Sequence, residues 1–211
     1  MTEESLLSRG ERTGQAILDA AERLILSQGY HGTSMRQIAD GVGIAVGGIY
    51  NHFDGKEAIF QALLERHQPY TNIVAALSDL SGESAAELVE RAARLTTEAG
   101  LADPAFIRLV FIDLQEFGGD TVFELAQRMI QGLMTFFRAL VASGELREDL
   151  PLPVLVRFFA GLVVFYILSE AIAFSDGAPR LDLPFPFGEE IDWVGGMVEL
   201  YLHGALKEGK P

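Results

Sequence analysis

Apolar residues recur every three to four positions along most of this chain, which is the spacing of one face of an α-helix. In the N-terminal quarter the pattern predicts three short helices, the third over 46–53. A serine followed three positions later by Glu or Gln can satisfy the free N–H groups at a helix start. This capping signal begins the first two helices, at Ser8-x-x-Glu11 and Ser34-x-x-Gln37. Gly29, and then Gly41 and Gly43, are expected to end them, because glycine readily forms left-handed helix caps.

The helical spacing continues beyond the third helix. A further capping signal, Asp54-x-x-Glu57, begins a long helix carrying apolar residues as far as Leu77. Pro69 must kink or restart that helix, because proline lacks the N–H group that continues the hydrogen-bond ladder. Later helices are predicted over 84–99, 103–117, 120–143, 152–175 and 189–207, with a proline-rich loop over 175–188. No segment alternates as a strand does, so the predicted fold class is all-α, with domains at 1–55 and 56–211.

Charge and composition limit the possible functions. The 211 residues carry a net charge of −14, so the surface as a whole would repel DNA. Residues 1–56 hold five Lys or Arg against seven acids, so any contact with DNA must be local and lie in this quarter. The absence of cysteine excludes a disulfide scaffold and a cysteine-ligated metal, and it fits a reducing cytosol.

The sequence gives no sign of export or membrane insertion. The N-terminal residues MTEESLLSRGER lack the apolar region of a signal peptide. The longest apolar run, 158–169, is shorter than the roughly 20 residues that span a bilayer. We therefore expect a buried helix there, a cytoplasmic protein and no membrane partner.

The stretch 33–60 has the composition of a helix-turn-helix. Such a motif needs a small residue where the helices cross, a residue that tolerates positive φ in the turn, and an apolar residue that holds the second helix down. Ala39, Gly43 and Ile49 meet these needs at the required spacing. The second helix of this motif enters the major groove of DNA.

These residues resemble the TetR/AcrR family pattern, a T-x-x-x-I-A-x-x-x-G segment followed by G-x-[LI]-Y-x-[HY]-F-x-x-K-E-x-[LI]-F. The close resemblance covers about residues 12–64. The matching residues are Thr33, Ile38, Ala39, Gly43, Gly47, Ile49, Tyr50, His52, Phe53, Lys56, Glu57, Ile59 and Phe60. The resemblance implies a homodimeric repressor that binds a palindromic double-stranded operator and is released by a small, mostly apolar effector.

The resemblance also implies which residues contact DNA. Gly47 would allow a close approach to the sugar-phosphate backbone, and Tyr50 and His52 would donate to phosphates. Lys56 lies where the helix dipole disfavours a cation, and a bound phosphate would remove that conflict. Ala45 and Gly48 depart from the Ser and Thr often found in the family, so direct base readout is expected to be sparse. The full predicted DNA-binding set is Thr33, Arg36, Ala45, Val46, Gly47, Gly48, Tyr50, Asn51, His52 and Lys56.

The C-terminal part is rich in aromatic residues, most of which fit a helical core. A subset is expected to line an effector cavity beside the long helix. Asp113 and Glu170 interrupt apolar faces, and a carboxylate there is costly unless paired, so each is expected to be turned to solvent, paired across a dimer, or turned to a ligand. The predicted effector-binding set is His67, Phe106, Val110, Asp113, Leu114, Phe117, Phe136, Phe137, Phe165, Tyr166 and Glu170.

Dimerisation is expected through the last two long helices, 152–175 and 189–207. The second presents an apolar stripe, in which two glycines allow close approach. The stripe comprises Ile191, Val194, Gly195, Gly196, Val198, Tyr201, Leu202 and Ala205.

Two other classes of function remain open at this stage. The first is a helix-turn-helix protein that is regulated by a protein partner, which a closed C-terminal domain would favour. The second is a helical-bundle binding protein or enzyme with a fused N-terminal domain. Against an enzyme, the chain has no G-x-S-x-G motif and no histidine spacing for a metal, and Val46 breaks a G-x-G-x-x-G loop. We expect no cofactor, no metal and no catalytic residue.

Overall fold

A computed structural model describes residues 8–78, 84–173 and 191–205, which form ten α-helices and no strand. The all-α prediction is therefore confirmed, whereas the predicted loop over 175–188 lies outside the described residues. The helices are α1 Arg9–Gln28, α2 Met35–Val42, α3 Val46–Ile49, α4 Lys56–His67, α5 Tyr70–Ser78, α6 Ala85–Leu101, α7 Pro104–Glu116, α8 Asp120–Ala142, α9 Leu152–Ala173 and α10 Trp193–Ala205.

The helix starts follow the capping signals in all but one case. Ser8 and Ser34 each form the expected capping box, and Ser84 forms another with Glu87. Asp54 does not cap α4: the N-cap is Gly55, and no side chain bonds the free N–H groups there. The helix begins one residue later than the Asp54 signal requires, so that prediction is wrong.

The predicted long helix is two helices in the structure. α4 ends at His67, Gln68 has an extended backbone with φ −66° and ψ 130°, and α5 begins at Tyr70. The cause is Pro69, because the residue before a proline is driven out of the helical region by the proline ring. The chain therefore restarts a helix at this point.

By its internal contacts the chain divides into two units. Unit one comprises Met1–Gln68 and Arg108–Phe123, and unit two comprises Pro69–Ile107 and Glu124–Pro211. α4 and most of α7 thus belong with the N-terminal helices. This division differs from the expected boundary at 55/56, which remains a prediction about independent folding.

Unit two is built around α6, with α9 and α10 packed against it. At the centre of its apolar core, Phe137 is 0% exposed and its ring lies 5.2 Å from that of Phe159. The Tyr201 hydroxyl donates to the Leu155 carbonyl at 3.0 Å, which joins α10 to α9. Burial raises the pKa of Tyr201, so this donor keeps its proton.

Part of the apolar stripe predicted for dimerisation belongs instead to this core, whereas Ile191 is 42% exposed. Val198 and Leu202 are only 6% and 8% exposed within a single chain. The reason is that this face of α10 is already covered by α6 and α9. The exposed apolar residues of α9 and α10 lie on other faces and include Val154, Phe158, Val164, Phe165 and Leu200.

α9 departs from the buried helix that its sequence predicted. Over Leu152–Ala171 it has a mean hydropathy of 2.1 and only 22% of its residues are buried, so by length and composition it could cross a membrane. The apolar helix extends beyond residues 158–169. Arg157 and Glu170, which flank that run, lie within the helix and do not end it. Its inner residues, including Leu155 and Phe159, are held in the core, while its outer face is open.

Candidate nucleic-acid interface

The turn between α2 and α3 has the geometry of a helix-turn-helix. Gly43 ends α2 in the left-handed conformation, with φ 77°, and its N–H donates to the Ala39 carbonyl at 2.9 Å. A residue with a Cβ would be strained at this φ, which explains the glycine. Ala39 is 1% exposed and Ile49 is 0% exposed, so both are buried as the motif requires.

α3 is a single short turn that presents its neighbours to solvent. Ala45 stands at its N-cap without a side-chain hydrogen bond, as the loss of the family's serine implied. Immediately after the helix, Tyr50 is 55% exposed, and Asn51 and His52 are exposed beside it. Arg36 is exposed on α2. These side chains are free to meet a partner outside the chain.

Thr33, in contrast, is 2% exposed and cannot reach DNA in this structure. Its hydroxyl donates to the Gly29 carbonyl at 3.0 Å, and Gln28 donates to it at 3.4 Å. The residue closes the loop between α1 and α2. Its predicted place in the DNA-binding set is therefore corrected to an internal one.

Lys56 is turned inward rather than towards a phosphate. Its ammonium group donates to the Tyr30 carbonyl at 2.6 Å and to the Thr33 carbonyl at 2.8 Å, and it lies 4.0 Å from the centroid of the Tyr30 ring. Burial lowers the pKa of Lys56, an effect that the Glu116 carboxylate opposes. Two carbonyl oxygens thus resolve the conflict with the helix dipole that a phosphate was expected to resolve.

An aromatic cluster surrounds this lysine. The Tyr30 ring lies 5.5 Å from Phe60 and 5.0 Å from Phe117, and Phe60 and Phe117 are stacked at 5.3 Å. Glu116 pairs with His31 at 2.5 Å. Phe117, predicted to line an effector cavity, therefore packs within unit one. Sequence reasoning missed Tyr30 and Glu116, because their contacts join positions between 26 and 87 residues apart.

Asp113 also has an internal role. It is 0% exposed, and one carboxylate oxygen accepts the Val122 N–H at 3.0 Å near the start of α8. A negative group is favoured there, because the first N–H groups of a helix lack partners. One oxygen of Asp113 thus bonds within its own chain, an arrangement that was not among those expected, and the other oxygen is buried without a hydrogen-bond partner among the described residues.

The remaining residues of the predicted effector set are divided between the two units. In unit one, His67 lies 3.0 Å from the Glu22 carboxylate, Val110 is half-buried and Leu114 is exposed. In unit two, Phe106 packs on Tyr70, Phe137 is in the core and Phe165 is 71% exposed. Tyr166 and Glu170 are half-buried near each other, and burial raises the pKa of both. The structure does not bring the set together within either unit.

Unit two contains a groove of about 630 Å³ between α5, the start of α6 and α8. Its apolar lining includes Val74, Leu77, Leu88, Phe136 and Leu140, and its polar lining includes Arg128, Gln131, Thr135, Ser143 and Glu145. Among the predicted effector residues, Phe136 is the one that lines it. The others could not be found from spacing, because the groove depends on how α5 and α8 pack.

A small N-terminal helical domain with a glycine turn and an exposed second helix, followed by a further helical unit, defines a class of protein, the helix-turn-helix regulators that bind DNA. Residues 17–63 match the family described as bacterial regulatory proteins, tetR family. The chain is 30% identical over 148 residues to the HTH-type transcriptional repressor AcnR of Corynebacterium diphtheriae, covering 67% of this chain and 72% of that protein. The chain belongs to the TetR family, and it is a DNA-binding transcriptional regulator.

Two further similarities extend over most of the chain. The HTH-type transcriptional regulator SrpR of Pseudomonas putida is 28% identical over 171 residues, covering 80% of this chain and 79% of SrpR. The transcriptional regulator FadR from Bacillus subtilis, solved in complex with stearoyl-CoA, superposes with a TM-score of 0.68 at 20% identity, covering 90% of this chain and 98% of that one. The second likeness shows the fold alone.

The internal position of Lys56 predicts a stability effect. Lys56→Met keeps the aliphatic stem but removes the ammonium donor from the Tyr30 and Thr33 carbonyls, of which the Tyr30 carbonyl still accepts the Thr33 N–H at 3.2 Å. The free energy of unfolding should therefore fall by about 1–3 kcal/mol. Thermal unfolding followed by circular dichroism measures the change. The control is Glu57→Gln, which alters an exposed charge at the next position. Equal melting temperatures for Lys56→Met and the wild type would contradict the internal role.

Proposed function

We propose that this regulator is a cytoplasmic, homodimeric repressor that binds a palindromic operator and releases it when a small, mostly apolar molecule occupies unit two. The observation that carries the proposal is the exposure of Tyr50, Asn51 and His52 directly after α3, in a motif whose Ala39 and Ile49 are buried. Phenol, amide and imidazole groups can donate to phosphate oxygens or base edges. No catalytic role is proposed for any residue.

The dimer is supported by the outer faces of α9 and α10. Phe158, Phe165 and Leu200 are 66%, 71% and 77% exposed, a large amount of apolar surface for a protein in water. A second copy related by a two-fold axis would cover this surface with the same surface of its own. The two-fold symmetry would match that of a palindromic operator. Dimerisation also accounts for the low burial of α9 without a membrane.

The groove in unit two is the proposed effector site. Its volume of about 630 Å³ lies in the range of small-molecule sites, and its lining includes both apolar and polar side chains. This lining suits a ligand with an apolar body and a polar end. The effector set expected from the sequence is thereby replaced, apart from Phe136, by residues of α5, α6 and α8.

The helix α7 connects unit two to the DNA-binding unit, although none of its residues lines the groove. α7 begins in unit two and continues into unit one at Arg108 without a break. Its far end leads to Phe117, which packs on Tyr30 and Phe60 beside the helix-turn-helix. A ligand that favours one position of α7 would bias the DNA-binding unit by its difference in affinity, typically 1–3 kcal/mol in coupled systems.

DNA binding is expected to depend on the residues after α3. We would select bound fragments from a random DNA pool with the purified full chain, and then measure Tyr50→Ala and His52→Ala on them. Each change should weaken binding by about 10- to 100-fold, the loss expected for a hydrogen bond to a charged phosphate. His203→Ala is the matched control, because that histidine is exposed on α10. Unchanged affinity in both test variants would remove the support for this surface.

The dimer predicts opposite results for two neighbouring leucines of α10. Leu200→Glu should leave the protomer folded but monomeric by sedimentation, because Leu200 is 77% exposed in the single chain. Leu202→Glu should instead unfold or strongly destabilise the protomer, because it places a carboxylate in the core. A folded Leu200→Glu protein that sediments as the wild type does would exclude this face as the interface.

If the groove is the effector site, a variant that fills it should lose its response to the effector and keep its affinity for DNA. Aromatic and acyl compounds would be screened for release of labelled operator from the wild type. Thr135→Trp, which fills the groove from an exposed position, should abolish release by an active compound and preserve operator affinity. Gln127→Trp is the control, on the same helix but outside the groove lining. If an active compound released operator from both variants equally, the groove would not be the effector site.

A further inference from the structure

The first residues of α3 and its N-cap lack side chains that can form hydrogen bonds. Residues at the N-terminal end of the second helix of a helix-turn-helix contact base edges. In this chain those positions are Ala45, Val46, Gly47 and Gly48. None of the four has a side-chain donor or acceptor. Val46 is nevertheless 36% exposed, and Ala45 is exposed beside it.

The fold does not require the two glycines. Neither Gly47 nor Gly48 has a positive φ. A Cβ added at Gly47 would have no heavy atom within 4 Å, and one added at Gly48 would lie 3.6 Å from Ile44, an ordinary contact. Glycine in a helix is less stable than alanine at the same position. The described structure thus gives no internal reason for this pair of glycines, and their lack of side chains leaves room for a group that approaches α3 closely from outside.

Small and apolar groups can read only one feature of the major groove. Base pairs present hydrogen-bond donors and acceptors there, and thymine adds the 5-methyl group. A valine or alanine side chain cannot pair with a donor or an acceptor, but it can exclude water from a methyl group. The absence of side chains at Gly47 and Gly48 would allow α3 to lie deep enough for this contact.

We propose that Val46 and Ala45 read the operator by packing against thymine 5-methyl groups. This inference rests on the proposed binding of an operator and adds the chemistry by which the operator is recognised. Tyr50, Asn51 and His52 then position the helix on phosphates and on adjacent bases. The net charge of −14 weakens attraction to DNA of any sequence, so these short-range contacts contribute a larger share of the affinity.

The test removes one methyl group at a time from the DNA. A fragment selected from a random pool by the full chain would be synthesised with deoxyuridine replacing each thymidine in turn, which leaves charge and hydrogen-bonding groups unchanged. One or two positions in each half-site should lose affinity by about fourfold, the value for one buried methyl group. Replacement at the other thymidines should have little effect. Affinity that is unchanged at every position would overturn the proposal.

A protein variant tests whether Val46 is the residue that contacts the thymine methyl group. In Val46→Ala, deoxyuridine at the sensitive positions should cost little more, because the protein side of the contact is already gone. In Leu114→Ala, which shortens an exposed leucine of α7 outside the motif, the fourfold loss should persist. A deoxyuridine penalty of the same size in Val46→Ala and in the wild type would overturn the assignment.

Gly47→Ala gives a second, independent measurement. The open space around Gly47 predicts that alanine raises the melting temperature, while the added methyl group holds α3 away from the groove and lowers operator affinity. Affinity that is equal to or higher than that of the wild type would overturn the close approach. Failure to select any DNA would refute operator binding itself, whereas selected DNA that ignores deoxyuridine would refute only methyl readout.

Discussion

In the DNA-binding unit, one half-buried cation joins the start of α4 to the loop before α2. The ammonium group of Lys56 bonds two backbone carbonyls of the loop between α1 and α2 and lies against the Tyr30 ring. Carbonyls in a loop have no helical partner, and leaving them unsatisfied would cost about as much as a lost hydrogen bond. By satisfying them, Lys56 fixes the start of α4 to the loop that leads into α2. The position of the helix-turn-helix follows from that attachment.

Aromatic rings from distant parts of the chain also pack together, starting from the Tyr30 ring that lies beside Lys56. Tyr30, Phe60 and Phe117 come from the first loop, from α4 and from the end of α7, and they pack edge-on or stacked within 5.0 to 5.5 Å. Such ring pairs are directional, because the faces and edges of aromatic rings differ in charge. The segment after Arg108 is therefore part of the DNA-binding unit, although its sequence position would assign it elsewhere.

Hydrogen bonds inside the chain also explain why few polar side chains are exposed around α3. Hydrogen bonds to the backbone of the same chain occupy the polar groups of Thr33 and Lys56 and one carboxylate oxygen of Asp113. What remains exposed around α3 is a short series of small residues followed by Tyr50, Asn51 and His52. The proposed recognition by close fit agrees with these few polar groups and with the net charge of −14, which weakens long-range attraction to DNA.

The sequence by itself determined the local features. The capping boxes at Ser8 and Ser34, the turn at Gly43 and the break at Pro69 depend on residues a few positions apart, so their patterns could be recognised in one dimension. Only the tertiary structure decided the partners of Lys56 and Asp113, the inward face of α10, and the groove between α5 and α8. Periodicity shows that a helix has an apolar face, but it does not show which neighbouring helix covers that face. Likewise, the identity of a polar residue does not show whether it bonds a phosphate or a carbonyl of its own chain.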